Sequence, residues 1–244
     1  MTKPTGDVFL RQEHLTAADF SDYRGDFGAL GCVFEACDFR RMRPRQISFA
    51  SGMEPTRYVD CTFDGSKFQR IIEGLARFER CSFKDITIDK FFGHATEFID
   101  CEFSGVLRHS VFFGLVAGFH RGKIARTTNE FRGNNFAAAT LIDVGFREGV
   151  DLSQQRLPVG PDYIYLRDAG LRLAALRQKH VHRPPSATRE EIFRFLRQAE
   201  EEVQQGQHDL FWTRESLAVR DRRSLDAVWK ELQDVAASSE TNAQ

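Results

Sequence analysis

The cysteines are the first residues in this sequence whose spacing suggests chemistry. Cys61, Cys81 and Cys101 recur at intervals of twenty residues, and Cys37 lies in the same local frame. Thiols can bind metals, and they act as nucleophiles where their pKa is lowered. Each of these cysteines, however, has an aromatic residue three positions before it and another two positions after it. A pattern that repeats the thiol together with the rings favours packing over catalysis.

Two imidazoles in the C-terminal third, those of His180 and His182, could hold a metal ion with a carboxylate from a loop. An HxH pair is common by chance, and we expect both side chains to be exposed to solvent. The sequence contains no glycine-rich phosphate loop, no G-x-S-x-G, no HExxH and no paired CxxC motif. We therefore expect no enzymatic activity, no metal and no cofactor.

A shorter period lies inside the twenty-residue unit. Large apolar residues recur every five positions, as in Phe78, Phe83 and Ile88. Neither the 3.6-residue period of an amphipathic helix nor the two-residue alternation of an ordinary strand fits this pattern. A short extended segment followed by a corner does fit, and four such sides close a square coil. Stacked coils place equivalent residues in columns, about 4.8 Å apart along the axis.

These columns form the predicted core, because a small residue and the large residue two positions later share the inward face of an extended segment. The core residues are Phe34, Cys37, Phe39, Tyr58, Cys61, Phe63, Phe78, Cys81, Phe83, Phe98, Cys101, Phe103, Phe131, Phe136, Leu141 and Phe146. Zinc needs four ligands that converge on one point. A disulfide needs side chains that point toward each other. A column of parallel thiols provides neither arrangement.

Several short triplets carry a resemblance to a known family. They are Ala18-Asp-Phe20, Cys37-Asp-Phe39, Cys61-Thr-Phe63, Cys81-Ser-Phe83, Cys101-Glu-Phe103, Asn134-Asn-Phe136 and Val150-Asp-Leu152. They resemble the repeat of the pentapeptide-repeat proteins, in which a small and a polar residue precede a central Leu or Phe. The resemblance implies a right-handed quadrilateral parallel β-helix over residues 14–157, after a lead-in of residues 1–13. The predicted fold class is thus mainly β, with a C-terminal α-helical segment.

The five-residue beat is interrupted twice, and we predict an insertion at each interruption. The frame slips by four residues between Phe39 and Tyr58, which predicts an insertion near residues 40–48. Its basic tip would contain Arg41, Arg43 and Arg45. The second insertion is predicted near residues 105–129. Loops that protrude from a solenoid often carry recognition, although a tolerated surface loop is the simpler interpretation.

Helical periodicity replaces the beat in a C-terminal region predicted to cover residues 158–236, before a disordered tail of residues 237–244. We predict three helices. The first covers residues 162–180, the second begins at a capping box at Thr188–Glu191, and the third covers residues 209–236. Their apolar stripes could cap the open end of the solenoid or bind another chain. The aromatic candidates for such an interaction are Phe195, Trp212 and Trp229.

Charge and composition narrow the functional classes. The formal net charge is −1, with 34 basic and 35 acidic residues that are balanced in both halves of the chain. We therefore do not expect nucleic acid as a partner. The absence of an apolar N-terminal stretch and of a long apolar run predicts no signal peptide and no membrane span. Five cysteines spaced as packing residues favour a cytoplasmic location.

These observations favour a non-enzymatic protein-binding scaffold with an unidentified protein partner, or a homodimer through the C-terminal helices. The family resemblance adds an alternative, because some pentapeptide-repeat proteins mimic B-form DNA and protect type II topoisomerases from quinolones or peptide toxins. Such mimicry requires a sustained acidic surface, which the charge balance disfavours. A subunit of an immunity or defence complex is a third hypothesis, for which no residue is diagnostic.

Overall fold

The computed structural model describes residues 6–217 and 222–237. Its strands are β1 Val8–Arg11, β2 His14–Thr16, β3 Phe27–Leu30, β4 Val33–Glu35, β5 Ile47–Ser48, β6 Thr56–Val59, β7 Lys67–Phe68, β8 Ile71–Ile72, β9 Ala76–Glu79, β10 Ser82–Asp89, β11 Phe92–Gly93, β12 Glu97–Ile99, β13 Glu102–Phe113, β14 Phe131–Arg132, β15 Asn135–Arg147, β16 Tyr163–Leu166 and β17 Leu210–Thr213. The helices are α1 Ala169–Val181, α2 Ala187–Gln204 and α3 Arg222–Ala237. Short 3-10 turns cover Gly118–His120, Leu152–Gln154 and Arg214–Ser216. No helix among the described residues combines the length and the apolar character needed to cross a bilayer.

The strands β1 to β15 form a parallel β-solenoid with four sides, and the predicted fold class is confirmed. The first side is the sheet β1-β3-β5-β8, and the second is the six-stranded sheet β14-β12-β9-β6-β4-β2. The third is narrow and is joined by single bridges, such as those from Asp38 to Thr62 and from Thr62 to Ser82. The fourth is built from β7 and the middle parts of β10, β13 and β15. Because β1 pairs in register with β3, the solenoid begins before residue 14, and the predicted lead-in of residues 1–13 is too long.

Each coil turns a corner between its second and third sides at a residue with left-handed backbone. The φ angles of Ala17, Ala36, Asp60, Arg80 and Asp100 lie between 51° and 55°. This conformation costs non-glycine residues on the order of 1 kcal/mol each. Because alanine, aspartate and arginine all occupy the same corner, the backbone turn is imposed by the stacked coils and not by one side chain.

Two columns of aromatic rings fill the interior. In the first column Phe39, Phe63, Phe83, Phe103 and Phe136 stack with neighbouring centroids 4.4–4.9 Å apart and nearly parallel planes. In the second column, Phe34, Tyr58, Phe78 and Phe98 stack at 4.8–4.9 Å. Rings of one column meet rings of the other edge to face, at 5.4 Å for Phe78 and Phe83. Such pairs add about 0.5–1.5 kcal/mol each beyond the burial of area.

The cysteines lie in the interior beside these rings. All five are at most 2% exposed. The Cys61 and Cys81 thiols donate weak hydrogen bonds to backbone carbonyls of the coil before, at 3.5 Å for Phe34 O and 3.3 Å for Tyr58 O. Burial and a hydrogen bond with Cys101 raise the pKa of the Cys81 thiol, whereas hydrogen bonds from Cys37 and Cys81 lower that of Cys61. Because all five thiols are buried whatever the direction of the shift, they act as small packing groups, which explains their repetition.

We expect the five thiols to be chemically silent in the folded protein. A thiol reagent such as DTNB attacks thiolates that it can reach, and none of the five is accessible. Titration should detect a trace of reaction under native conditions and all five thiols in denaturant. Fast stoichiometric labelling of any one of them in the native protein would contradict the packing described above.

The first insertion lies later in the chain than predicted. Phe27 pairs with Ile47, which preserves a twenty-residue coil, whereas Val33 pairs with Arg57. The four extra residues must therefore lie between Ser48 and Thr56. Residues 40–47 belong to the body of the coil, since the Arg43 amide donates to the Tyr23 carbonyl at 2.9 Å.

The second insertion is shorter than predicted. From Gly105 to Phe113, β13 pairs with β15 without interruption. The extra residues lie at 114–130, where Leu115 and Thr128 form an antiparallel bridge. The side-chain amide of Asn129 closes this loop by donating to the Phe113 carbonyl at 2.8 Å. Residues 105–113, the first part of the predicted insertion, belong to β13 instead.

The C-terminal region mixes strands with helices, which corrects the all-helical prediction. The beginning of each outer predicted helix is a strand, and these two strands, β16 and β17, pair antiparallel. The second helix begins at a different cap than predicted, because Ser186 Oγ, not Thr188, accepts from a backbone amide, that of Arg189, at 3.2 Å. Ala237 ends α3, and the tail predicted to be disordered lies, from residue 238 on, outside the described residues.

This C-terminal region covers the last coil. Phe211 joins the solenoid core, with its ring 6.0 Å from Phe146 and 5.7 Å from Tyr163. Amides on the edge of β15 donate to side chains of the cap, including Asp143 N to Thr213 Oγ1 at 3.0 Å. The open end of the solenoid is thus closed by the strand pair, with the three helices packed behind it.

Candidate interaction surface

Ion pairs neutralise most charges on the second and third sides. Arg77 contacts Glu79 at 2.7 Å, Glu97 at 3.2 Å and Glu130 at 2.7 Å. Across neighbouring coils, Arg80 pairs with Asp60 at 2.8 Å. Burial alone would raise the pKa of Glu79, but hydrogen bonds from Arg77 and Arg57 lower it overall. These two sides are therefore polar and locally balanced.

The fourth side differs, because it carries cations without counter-ions. Arg24, Arg43 and Lys67 follow one another on consecutive coils, and Arg70, Lys90 and Arg108 lie at or beside the next corner. None of these six side chains forms an ion pair within residues 6–217 and 222–237. At about 4.8 Å per coil the row is about 19 Å long. We call these six residues the basic surface.

Exposed apolar side chains border the basic surface. Ile72 and Phe92 lie two residues beyond Arg70 and Lys90, around the corner on the first side, and are 47% and 40% exposed. Phe92 pairs with Val111 of the neighbouring coil. A partner that crosses this corner would meet positive charge and apolar area together.

A cavity of about 310 Å³ lies at the end of this apolar border, between the solenoid and the cap. Phe92 and Val111 contribute one wall, and Phe195 and Trp212 contribute another. The rings of Phe195 and Trp212 meet edge to face at 5.0 Å. Its charged lining contains Arg147 and Arg194, of which Arg194 pairs with Glu191 at 2.7 Å, and also the carboxyl groups of Asp143 and Glu202. Burial raises the pKa of Glu202 despite the nearby Arg147. The apolar walls of the cavity could take an apolar side chain of a partner.

No family model matches this chain, and no curated protein is significantly similar to it.

The predicted basic tip does not exist as a protruding loop. Arg41 forms a two-point ion pair with Asp22, with both contacts at 2.8 Å. Arg45 contacts Asp7 at 3.3 Å and Asp26 at 3.4 Å. Only Arg43 of the three predicted residues belongs to the basic surface. The other five members were missed because nothing in the linear sequence groups them before the coil register is known.

Two of the three aromatic candidates, Trp212 and Trp229, are buried, and Phe195 is partly buried. Trp229 is 2% exposed, and its indole N–H donates to the Pro161 carbonyl at 3.0 Å. Trp212 is 7% exposed. Trp229 is therefore a core residue and is unsuited to binding another chain, whereas Phe195 and Trp212 line the cavity.

The two histidines of the HxH pair differ in their exposure to solvent. His182 is exposed, but His180 is 2% exposed, against the prediction, with Nε2 3.2 Å from Glu231 Oε2. His180 faces inward because α1 packs against α3 on this side. Among the described residues, neither histidine belongs to a group of three side chains that could hold a metal ion.

Proposed function

We propose that this protein is a non-enzymatic scaffold that binds an acidic, partly apolar segment of a partner protein. The observation that carries the proposal is the basic surface, whose cations form no ion pair within the described residues, whereas charges on the second and third sides are paired. Unpaired charges steer oppositely charged partners and select among them. The bordering Ile72, Phe92 and the cavity would supply apolar contacts, which are usually the source of affinity.

A protein segment fits this surface better than a nucleic acid does. Non-specific single-strand binding combines cations with aromatic rings on which bases stack. The outward column that continues from Lys67 contains Thr87, Val106 and Thr140 instead. A topoisomerase shield would need a sustained acidic face, and unpaired positive charge on the fourth side does not favour one. No particular contact favours a defence complex.

We further propose that the chain is a divergent pentapeptide-repeat protein that works in the cytoplasm. Support for the family comes from the small-residue column and from the two stacked aromatic columns that the repeat triplets place inside the coil. Support for the compartment comes from five buried free thiols.

The scaffold hypothesis can be tested by neutralising three cations of the basic surface together. The variant Arg24→Gln, Arg43→Gln, Lys67→Gln is compared with Arg57→Gln, Arg80→Gln, Arg132→Gln, which removes the same charge from residues already in ion pairs. The probe is a synthetic helical peptide with glutamates and leucines on opposite faces, followed by fluorescence anisotropy. We expect the first variant to bind at least about tenfold more weakly, or about 1.4 kcal/mol, and the second to stay near wild type.

Equal losses in both variants would show that net charge alone controls binding, and would contradict the assignment to the fourth side. Tighter binding of a duplex DNA than of the peptide, with the same dependence on the three cations, would point to nucleic acid instead. A gyrase supercoiling assay with a quinolone tests the shield separately, because protection there does not require the acidic peptide.

A further inference from the structure

A second group of polar residues, none of which belongs to the basic surface, lies in a pocket of about 590 Å³ between the last coil and the cap. The last coil contributes residues 149–153, and the cap contributes residues around Tyr165 and His208. Within it Asp168, His208 and Asp209 each offer one ligand atom, and these atoms all lie within 4.8 Å of one another. The sequence does not reveal this group, because Asp168 lies about forty positions before the adjacent His208 and Asp209 and no motif links them.

The imidazole of His208 lies between the two carboxylates. Its Nδ1 is 2.8 Å from Asp209 Oδ1, and its Nε2 is 3.4 Å from Asp168 Oδ1. Zinc holds nitrogen and oxygen ligands at about 2.0–2.1 Å, so two ligand atoms of a tetrahedral site lie about 3.3 Å apart. The separation of Nε2 and the Asp168 oxygen is already that of two ligands that share one metal ion.

The surrounding contacts hold the carboxylates in place. Asp209 is 8% exposed and accepts hydrogen bonds from Tyr165 OH at 2.5 Å and from the Asp168 amide at 3.0 Å. Asp168 stands at the N-cap of α1, but its side chain makes no capping hydrogen bond there. Its carboxylate turns toward His208 instead. The His208 ring is largely exposed and can rotate.

Charge also favours a cation at this place. The pocket lining contains three carboxylates, those of Asp151, Asp168 and Asp209. Arg167 is the cation in the pocket lining, and it lies over the Tyr165 ring, 5.5 Å from its centroid.

We propose that Asp168, His208 and Asp209 form a binding site for a divalent transition metal, with zinc as the best match. An imidazole ligand beside a carboxylate favours zinc over magnesium or calcium, which prefer all-oxygen sites. His208 Nε2 and Asp168 would be the protein ligands, Asp209 would orient the imidazole through Nδ1, and water would complete the coordination. The site is independent of the basic surface and therefore of the proposed scaffold function.

The test uses tag-free full-length protein, because an affinity tag with histidines would bind the probe. Zinc binding is measured by isothermal titration calorimetry, and cobalt is added as a spectroscopic substitute that absorbs strongly in the visible range when tetrahedral. We expect one ion per chain in wild type. His208→Ala and Asp168→Asn should each weaken zinc binding at least tenfold and remove the cobalt band.

His109→Ala is the matched control, since His109 also pairs with a carboxylate, Asp89, at 2.8 Å but with only one. It should bind zinc as wild type does, and far-UV circular dichroism should show that all variants fold. Failure of wild type to take up one zinc ion would overturn the proposal. So would retention of wild-type affinity in Asp168→Asn, or an equal loss in His109→Ala.

Discussion

Replacing Phe83 by alanine is expected to lower the free energy of unfolding by about 3–5 kcal/mol, the usual range for a large aromatic side chain removed from a core. Phe83 is 2% exposed and stacks between Phe63 at 4.8 Å and Phe103 at 4.9 Å. Its removal would open a cavity in the middle of a column. Neighbouring rings cannot collapse into that cavity, because each is held at its height by its own coil. Urea unfolding followed by circular dichroism measures the loss.

Arg80 provides the control for this experiment, because it lies in the same coil but points outward. Arg80→Ala removes an ion pair with Asp60 in which both side chains are about half exposed, and such pairs contribute roughly 0–1 kcal/mol. Alanine also fits the left-handed corner, as Ala17 and Ala36 show in earlier coils. We therefore expect a loss well under about 1 kcal/mol. Comparable losses for Phe83 and Arg80 would mean that the inward and outward faces are assigned wrongly.

Replacing Gln207 by alanine should cost about 2–4 kcal/mol, because it leaves several buried backbone groups without partners. The side chain is fully buried, and its Oε1 accepts from the amides of Gly149 and Val150, both at 3.1 Å. Its Nε2 donates to the carbonyls of Val150 at 2.8 Å and Asp209 at 2.9 Å. One side chain thus joins the last coil to the cap through three hydrogen bonds, and its fourth hydrogen bond lies within the cap.

Gln205→Ala is the matched control for Gln207, since Gln205 is exposed two residues earlier. We expect a change within about 0.5 kcal/mol there. Thermal unfolding of both variants, together with hydrogen exchange at Gly149 and Val150, measures the effect. If Gln207→Ala left both amides as protected as in wild type, the cap would be held by other contacts and the assigned role would be wrong.

The solenoid was predictable because its signal is local and repeated. Between Tyr58 and Phe103 each coil restates the same small and large residues, so the register follows from spacing alone. The first insertion was misplaced for the same reason. The clearest repeats lie on the second and third sides of the coil. Their spacing shows that four residues are inserted between Phe39 and Tyr58, but it does not show which side of the coil contains them. The pairing of Ile47 with Phe27 shows that the coil is still regular at Ile47, so the insertion follows it.

The other errors involve contacts between distant parts of the chain. The strand β16 became a strand because it pairs with β17, more than forty residues later. In the sequence alone, the apolar pattern of Tyr163–Leu166 is continuous with the helical pattern of α1, so the segment was predicted as helix. The basic surface is likewise shared by five coils, and the His208 group by two loops that meet only in the folded cap. Single-sequence patterns report what a segment prefers, whereas these features depend on what folds beside it.

The corner at Asp60, Arg80 and Asp100 has a consequence for how this protein could change in length. Since successive corners are twenty residues apart and have the same backbone angle, removal of residues 62–81 would join Cys61 to Ser82 just as Cys81 is joined to it now. Every column above and below the junction would keep its alignment. The molecule would become about 4.8 Å shorter and the two ends of the basic surface would approach by the same step. Duplication of that segment would have the reverse effect. The length of the solenoid can therefore change by whole coils while the cap and the first coil stay unchanged.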